Sequence, residues 1–299
     1  RAEKTLKFLD ICTDHCSGKL PNYGANDGAL FFKLTDFTFR DYRPQLDDLR
    51  AVLYGHTFYN SASPFWYGIQ PKNVNSQKIN NLNSFDNGGY YIIQDGGTKT
   101  FIRCGKYKDR PSQADNLHID IWVDGVNYFR DSGTYKYNTT DEYLNYFNGT
   151  SSHNTVSVDN KNQMLKGKRF IWYYWIKEAN AMLKKNINYY KFSGYFKGFK
   201  HLNKKILHKR DINKKISKNF WKIKDVVLNK GSLSMKQYWN INPNYVDKIS
   251  IKSFDENNKQ LAPKYERKWY SSSYGRIEKS IRISFETRTN MFKTLIEIE

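Results

Sequence analysis

The residues best equipped for chemistry in this sequence are imidazoles, carboxylates and guanidinium groups spaced along its middle third. His118 follows Asp115 by three residues in QADNLHIDIW, Asp131 lies in FRDSGTY and His153 in SSHNT. Imidazole changes charge near neutral pH, so His118 can serve as a base, or it can hold structure or touch a ligand. Asp131 and His153 form a natural hydrogen-bonded pair that would staple neighbouring strands, with Asn154 capping a turn. Gln113 can hydrogen-bond a carboxylate or a hydroxyl but cannot take a proton. Arg43 and Arg110 each carry a guanidinium fork that pairs bidentately with carboxylates. The loop Asn22-Tyr23-Gly24-Ala25-Asn26-Asp27-Gly28 offers amides and a carboxylate, through Asn22, Asn26 and Asp27, to a hydroxyl-rich ligand, or it is simply a turn between helices. Tyr23 is either a proton donor or a packing residue. Tyr135 and Tyr137 read as strand-face packing.

These side chains need elements to carry them, and the hydrophobic pattern supplies two kinds. Leu6, Leu9, Cys12 and Cys16 recur at helical spacing over residues 1–17, and a second helix is predicted from Pro44 to about Tyr54, with proline in the first turn. Asn80 to Gly89 reads as a linker. Short alternating runs follow: GYYIIQD, KTFIRCGKY, NLHIDIWVDG, VNYFRDSGTY and HNTVSVDN, each of strand length and bounded by turn residues. In LHIDIWV, Leu117, Ile119, Ile121 and Val123 share one face while His118, Asp120 and Trp122 share the other, and Asp124-Gly125 supplies a hairpin turn. Further strands are expected at 169–179, 203–213, 219–228, 233–240, 246–253 and 280–298. The Lys-rich stretch from Lys197 to Lys224 still alternates with Ile206, Ile212, Ile216 and Phe220, so it reads as charged strand and not as a tail. The expectation is a mainly β protein: a large antiparallel β-sandwich over residues 86–299, preceded by a few helices within 1–85.

Composition narrows the partners. The formal charge of +20, from 49 Lys+Arg against 29 Asp+Glu, attracts polyanions such as nucleic acid, anionic membranes or acidic polysaccharide. Lysine beside abundant Asn, Ile and Tyr is also what AT-biased coding produces, so charge alone selects no partner. No zinc-finger, helix-turn-helix or RNP-type motif supports nucleic acid. No stretch approaches the ~20 apolar residues of a membrane span. Cys12, Cys16 and Cys104 are too few for a disulfide framework and are expected as free thiols.

The segments PNYGANDGALFF (21–32), DYRPQL (41–46), RPSQADNLHIDIW (110–122), FRDSGTYKYN (129–138) and SSHNTVSVDNKNQ (151–163) resemble heparinase II/III-like proteins, in family order and spacing. HKRDI (208–212), FWKIKD (220–225) and WYSSSYG (269–275) echo the later strands of the same domain. The resemblance implies an α/α toroid joined to an antiparallel β-sandwich, with a cleft that degrades acidic, uronate-containing polysaccharide by β-elimination, in a periplasmic or extracellular setting. Residues 1–85 then correspond to the toroid's last helices, and the family's catalytic Asn and Tyr are expected upstream of Arg1. Elimination removes the C5 proton of a uronate, so a site must neutralise the carboxylate, supply a base and protonate the leaving oxygen. Where relatives carry a His-x-His-x-Asp pattern, this sequence reads Pro111-Ser112-Gln113-Ala114-Asp115, which removes the usual base. By resemblance His118 and Tyr23 are the catalytic candidates, Asn22, Asn26, Asp27, Arg43, Arg110 and Gln113 the substrate contacts, and Gln113, Asp131 and His153 the set that would hold a structural zinc. The lost histidines equally suit a carbohydrate-binding or assembly protein without activity.

Overall fold

The computed structural model of the chain describes residues 1–26, 28, 30, 32–75, 80–203 and 205–299. Helix α1 (Ala2–Cys12) and α2 (Arg43–Tyr54) are followed by a small parallel pair, β1 (His56–Thr57) with β2 (Lys72–Asn73). The meander then runs β3 (Leu82–Phe85), β4 (Tyr90–Asp95), β5 (Thr98–Arg103), β6 (Ile119–Val123) and β7 (Val126–Phe129). After α3 (Asp141–Asn148) come β8 (Val156–Val158), a short hairpin of β9 (Leu165–Lys166) and β10 (Trp172–Tyr173), and the long strands β11 (Glu178–Lys185), β12 (Tyr189–Gly198), β13 (Ile206–Lys215) and β14 (Phe220–Leu228). The chain closes with β15 (Met235–Ile241), β16 (Ile249–Phe254), β17 (Lys264–Tyr270), β18 (Glu278–Thr287) and β19 (Met291–Ile298).

Two antiparallel sheets result. One has nine strands in the order β17-β18-β15-β7-β6-β5-β4-β3, with β8 also on β15, and the other has six in the order β11-β12-β13-β14-β19-β16. They pack face to face because each strand puts every second residue inward. Tyr91, Ile93, Ile102, Ile119, Ile121 and Phe129 of the larger sheet meet Phe192, Ile212, Trp221, Ile223, Phe292 and Ile296 of the smaller in one core. The expected face assignment of LHIDIWV holds: Leu117, Ile119, Ile121 and Val123 lie in this core. Asp124 and Gly125 both take left-handed φ, 48° and 80°, as a tight hairpin turn requires.

The other face of the larger sheet is covered by the N-terminal segment. Ile11, Cys12 and Leu20 pack with Ile92 and Phe101, and Phe8, Tyr23 and Tyr90 border them. Helix α1 stops at Cys12, short of the expected residue 17: Thr13 is extended, and Lys99 from β5 donates to the carbonyls of Ile11 and Thr13 there, as a cation at a helix C-terminus does. Burial pushes the Lys99 ammonium down to about 8. Helix α2 keeps its expected bounds, with proline in its first turn and Gly55 left-handed at its end.

Other departures have local causes. The linker read over 80–89 contains β3, so the sheet begins at Leu82. The strand expected at 169–179 is instead the β9–β10 hairpin followed by β11, and β12 was not anticipated because Gly194 and Gly198 dilute its pattern. Strand β17 sits at the sheet edge and is charged, as edge strands are, so it lacks an apolar signature. In the Lys-rich stretch the lysines at 209, 215, 222 and 224 lie on the exposed face of the six-stranded sheet, with Lys214 turned in against Asp95.

Candidate functional site

The chain leaving β7 builds the centre of the site. Asp131 is buried; its backbone N–H donates to Asp120 Oδ2 (3.0 Å), its Oδ1 accepts the Gly133 N–H (2.8 Å) and its Oδ2 meets His153 Nδ1 at 2.6 Å. His118 Nε2 stands 3.9 Å from the same Asp131 oxygen and 3.6 Å from Asp120 Oδ2. Asn154 locks the arrangement: its N–H donates to His118 Nδ1 (2.9 Å), its Nδ2 to Ile119 O (2.8 Å), and its Oδ1 accepts the Asn240 N–H (2.6 Å). Because His118 Nδ1 accepts an amide hydrogen, the neutral ring carries its proton on Nε2. Burial would raise the Asp131 carboxyl, but His153 beside it holds it below the ordinary range; burial would lower His153, but Asp131 holds it above. Asp120 is pushed up by burial.

One ligand atom from each of His118, Asp131 and His153 lies within 4.8 Å of the others, all buried. Around the same turn, His118 Nε2, His153 Nε2, Asp120 Oδ1 and Gln113 Oε1 are buried without hydrogen-bond partners. Two imidazoles and a carboxylate are donor types that zinc takes, but His118 can ligate through Nε2 only by giving up the hydrogen bond that its Nδ1 accepts from Asn154 N–H. His118, Asp131 and His153 would hold the ion, and its contribution would be to pin three chain segments together. Gln113 comes near this turn, but through its amide nitrogen, which donates to Gly133 O (3.3 Å) and Phe147 O (3.4 Å).

Beside this buried cluster lies an open cavity of about 460 Å³, bordered by Ala25, Arg110, Ser112, Thr134, Lys136 and Tyr137. The 22–26 loop borders it through Ala25 and is clipped to the chain after Asp131. Asn26 N–H donates to Thr134 Oγ1 (3.1 Å), which donates on to Gly24 O (3.2 Å). Asn22 Nδ2 spans Asp131 O (3.4 Å) and Ser271 O (3.3 Å), while its Oδ1 accepts from Arg40 (2.9 Å). Gly133 must be glycine: its φ is +87°, and a Cβ there would stand 2.1 Å from Ser271 O. Arg110 is exposed, lies 5.3 Å over the Phe170 ring and makes no salt bridge among the described residues. With Lys136 it gives the cavity a positive wall.

The structure corrects several expected roles. His118 is 2% exposed and faces Asp120 and Asp131, so it occupies the structural alternative and not that of a base open to substrate. Tyr23 packs with Phe8, Tyr90 and Phe101, and burial raises its phenol well above the ordinary value. The Arg43 fork is already taken by Asp41, to which Nε donates at 2.9 Å and Nη2 donates as well. Asn22 is a strut with both amide atoms engaged. Asp27 lies outside the described residues. Asn154, Thr134 and Lys136 were not singled out as site residues by sequence; only their adjacency to His153 and Asp131 pointed to them.

The C-terminal domain of the heparinase II/III-like family is matched over residues 78–296. The chain belongs to the heparinase II/III-like family. Among curated relatives, this heparinase II/III-like chain is 31% identical to a heparin-sulfate lyase of Bacteroides stercoris over 104 residues, which cover 34% of the chain and 14% of that lyase. It is 28% identical to a heparin-sulfate lyase of Bacteroides thetaiotaomicron over 144 residues, 43% of the chain and 19% of the lyase. The heparan sulfate lyase HepC of Pedobacter heparinus superposes with TM-score 0.72 at 16% identity, covering 99% of the chain and 46% of that structure. A heparinase III structure gives 0.71 at 18% identity, covering 99% and 46%. The chain thus spans less than a fifth of these curated lyases and under half of the solved ones.

Proposed function

We propose that this heparinase II/III-like chain handles acidic, uronate-containing polysaccharide in a reaction of the β-elimination class, as part of bacterial capsule or exopolysaccharide metabolism, in a periplasmic or extracellular location. The observation that carries the reading is the cavity bordered by Ala25 of the 22–26 loop and by Arg110 and Lys136, with that loop fixed to the turn that holds the histidine cluster. Arg110 is the group best placed to neutralise a uronate carboxylate, which is the first requirement of C5 proton abstraction. Among the described residues that border the cavity there is no imidazole, so in this reading the proton is taken by a group from another part of the lyase, and helices α1 and α2 are the end of its toroid. Ultraviolet absorbance from an unsaturated uronate, measured on uronate-containing glycans with the whole protein, tests this directly.

A second reading rests on a specific observation: His118 is sealed from solvent, and the resemblance to the family implies that Pro111 and Gln113 replace histidines. It makes the chain a carbohydrate-binding or assembly module. Binding of acidic glycan with no unsaturated product and no new reducing ends would select it.

A further inference from the structure

A second recess of about 560 Å³ opens beyond the Asp124-Gly125 hairpin, between the N-terminal segment and the turn after β17. Lys19, Arg40, Arg130 and Arg276 line it against a single carboxylate, Glu278, which Arg276 already engages at 2.9 Å. Arg130 is the unusual member. It is 8% exposed, its guanidinium lies 3.6 Å over the Tyr270 ring, and among the described residues its side chain makes one hydrogen bond, from Nη2 to Ser280 Oγ (3.3 Å). Its Nε is buried without a partner, and it has no salt bridge among the described residues. Burial accordingly pushes it below its ordinary value.

A buried guanidinium normally has a carboxylate beside it, since leaving a charge unpaired in a desolvated place is costly. Two more polar atoms in the same lining are buried and unpaired: Trp122 Nε1, a donor, and Asn127 Oδ1, an acceptor. A ligand that satisfies all three brings an acceptor oxygen to Arg130, best an anionic one, and groups that both accept and donate, as hydroxyls do. The aromatic borders Phe39 and Tyr245 suit a pyranose face, and the volume falls in the range of small-ligand sites.

We propose that this recess is a saccharide subsite that takes the carboxylate or sulfate of an acidic sugar unit on Arg130, with ring hydroxyls on Trp122 and Asn127. It rests on the reading that the chain handles acidic polysaccharide, and adds a second contact apart from the Arg110 cavity, with which it shares no lining residue.

The test follows the Trp122 indole N–H resonance of the full chain, assigned with Trp122→Phe, during titration with an oligogalacturonate, a sulfated dextran oligosaccharide and neutral maltotetraose. The first two separate carboxylate from sulfate. The expected result is that at least one acidic saccharide moves the Trp122 resonance while maltotetraose does not, and that Arg130→Lys, which keeps charge but loses the fork, weakens binding at least ~10-fold. Arg276→Gln, at an exposed side chain that cannot unfold the domain, should weaken it ~3-fold. If acidic saccharide binds with both affinities unchanged and the Trp122 signal unmoved, the recess is overturned while the proposed function stands. If no acidic saccharide binds the wild-type chain, both fall together.

Discussion

Replacing Asp225 with alanine should unsettle the histidine cluster from a distance, by a mechanism and a size that the structure sets. Asp225 is fully buried between the sheets, and its carboxylate accepts from His208 Nε2 (2.7 Å), Arg210 Nε (2.7 Å), Arg210 Nη2 (2.8 Å) and Gln237 Nε2 (2.7 Å). Burial would raise its pKa, but Arg210 and then His208 hold it far below the ordinary carboxylate range. Alanine leaves Arg210 charged, unpaired and inaccessible to water, which costs about 3–5 kcal/mol. At about 2.1 cal/mol/K per residue, a chain of 299 residues unfolds with an entropy near 0.6 kcal/mol/K, so the melting temperature should fall by ~5–8 °C. Arg210 Nη1 also donates to Leu117 O (2.5 Å) and Asn154 O (2.6 Å), the neighbours of His118 and His153, so amide exchange at those segments should quicken. The double variant Arg210→Met, Asp225→Leu, with no stranded charge, should recover most of the loss. Calorimetry that finds a shift under ~2 °C for Asp225→Ala, or a double variant no better than the single, would refute the reasoning.

Zinc added to metal-free protein should raise the melting temperature, by up to ~2.7 kcal/mol of stabilisation at a hundredfold excess over Kd, and Asp131→Asn should abolish the gain, as read by calorimetry and metal analysis. Arg110→Ala should leave the melting temperature unchanged, because the side chain is exposed, yet weaken uronate binding by about 1.5–3 kcal/mol in titration calorimetry. His208 is held below its ordinary pKa, chiefly by burial, so the folded state refuses a proton that the unfolded chain accepts below about 6.5. Its stabilising contribution is therefore present above that pH and fades as pH falls, and the stability gap between wild type and His208→Gln should narrow from pH 7 to 5 in denaturant titrations. Gly133→Ala should cost more than the ~1–3 kcal/mol of a left-handed φ alone, since the new Cβ also meets Ser271 O, and thermal melts will show it.

The sandwich was legible because a two-residue period survives even heavy charge: Ile206, Ile212, Trp221 and Ile223 mark the inward face whatever the lysines between them do. Some of what escaped had no periodic signal, such as the eight-residue α3 and the edge strand β17. The Asp131–His153 pair could be foreseen from its residue types. That His118 joins them could not, because it depends on Asn154 crossing to the start of β6, a tertiary contact with no trace in local spacing. Arg43 misled for the opposite reason: its partner Asp41 lies two residues away, and a local ion pair removes a fork that composition alone would leave available.

The turn after β7 makes the buried cluster and the open cavity one mechanical unit. Within four residues Asp131 receives His153, Ser132 N–H donates to Ser152 O (3.2 Å), Gly133 lets Ser271 approach and Thr134 anchors the loop that borders the cavity. A perturbation at the buried end has no rigid spacer to absorb it before it reaches the cavity, since each of these bonds shares backbone with the next. Loss of glycan binding on mutating His153 would therefore not place that imidazole against substrate. Only a change at the cavity end that leaves the cluster intact, such as Arg110→Ala, separates contact from positioning.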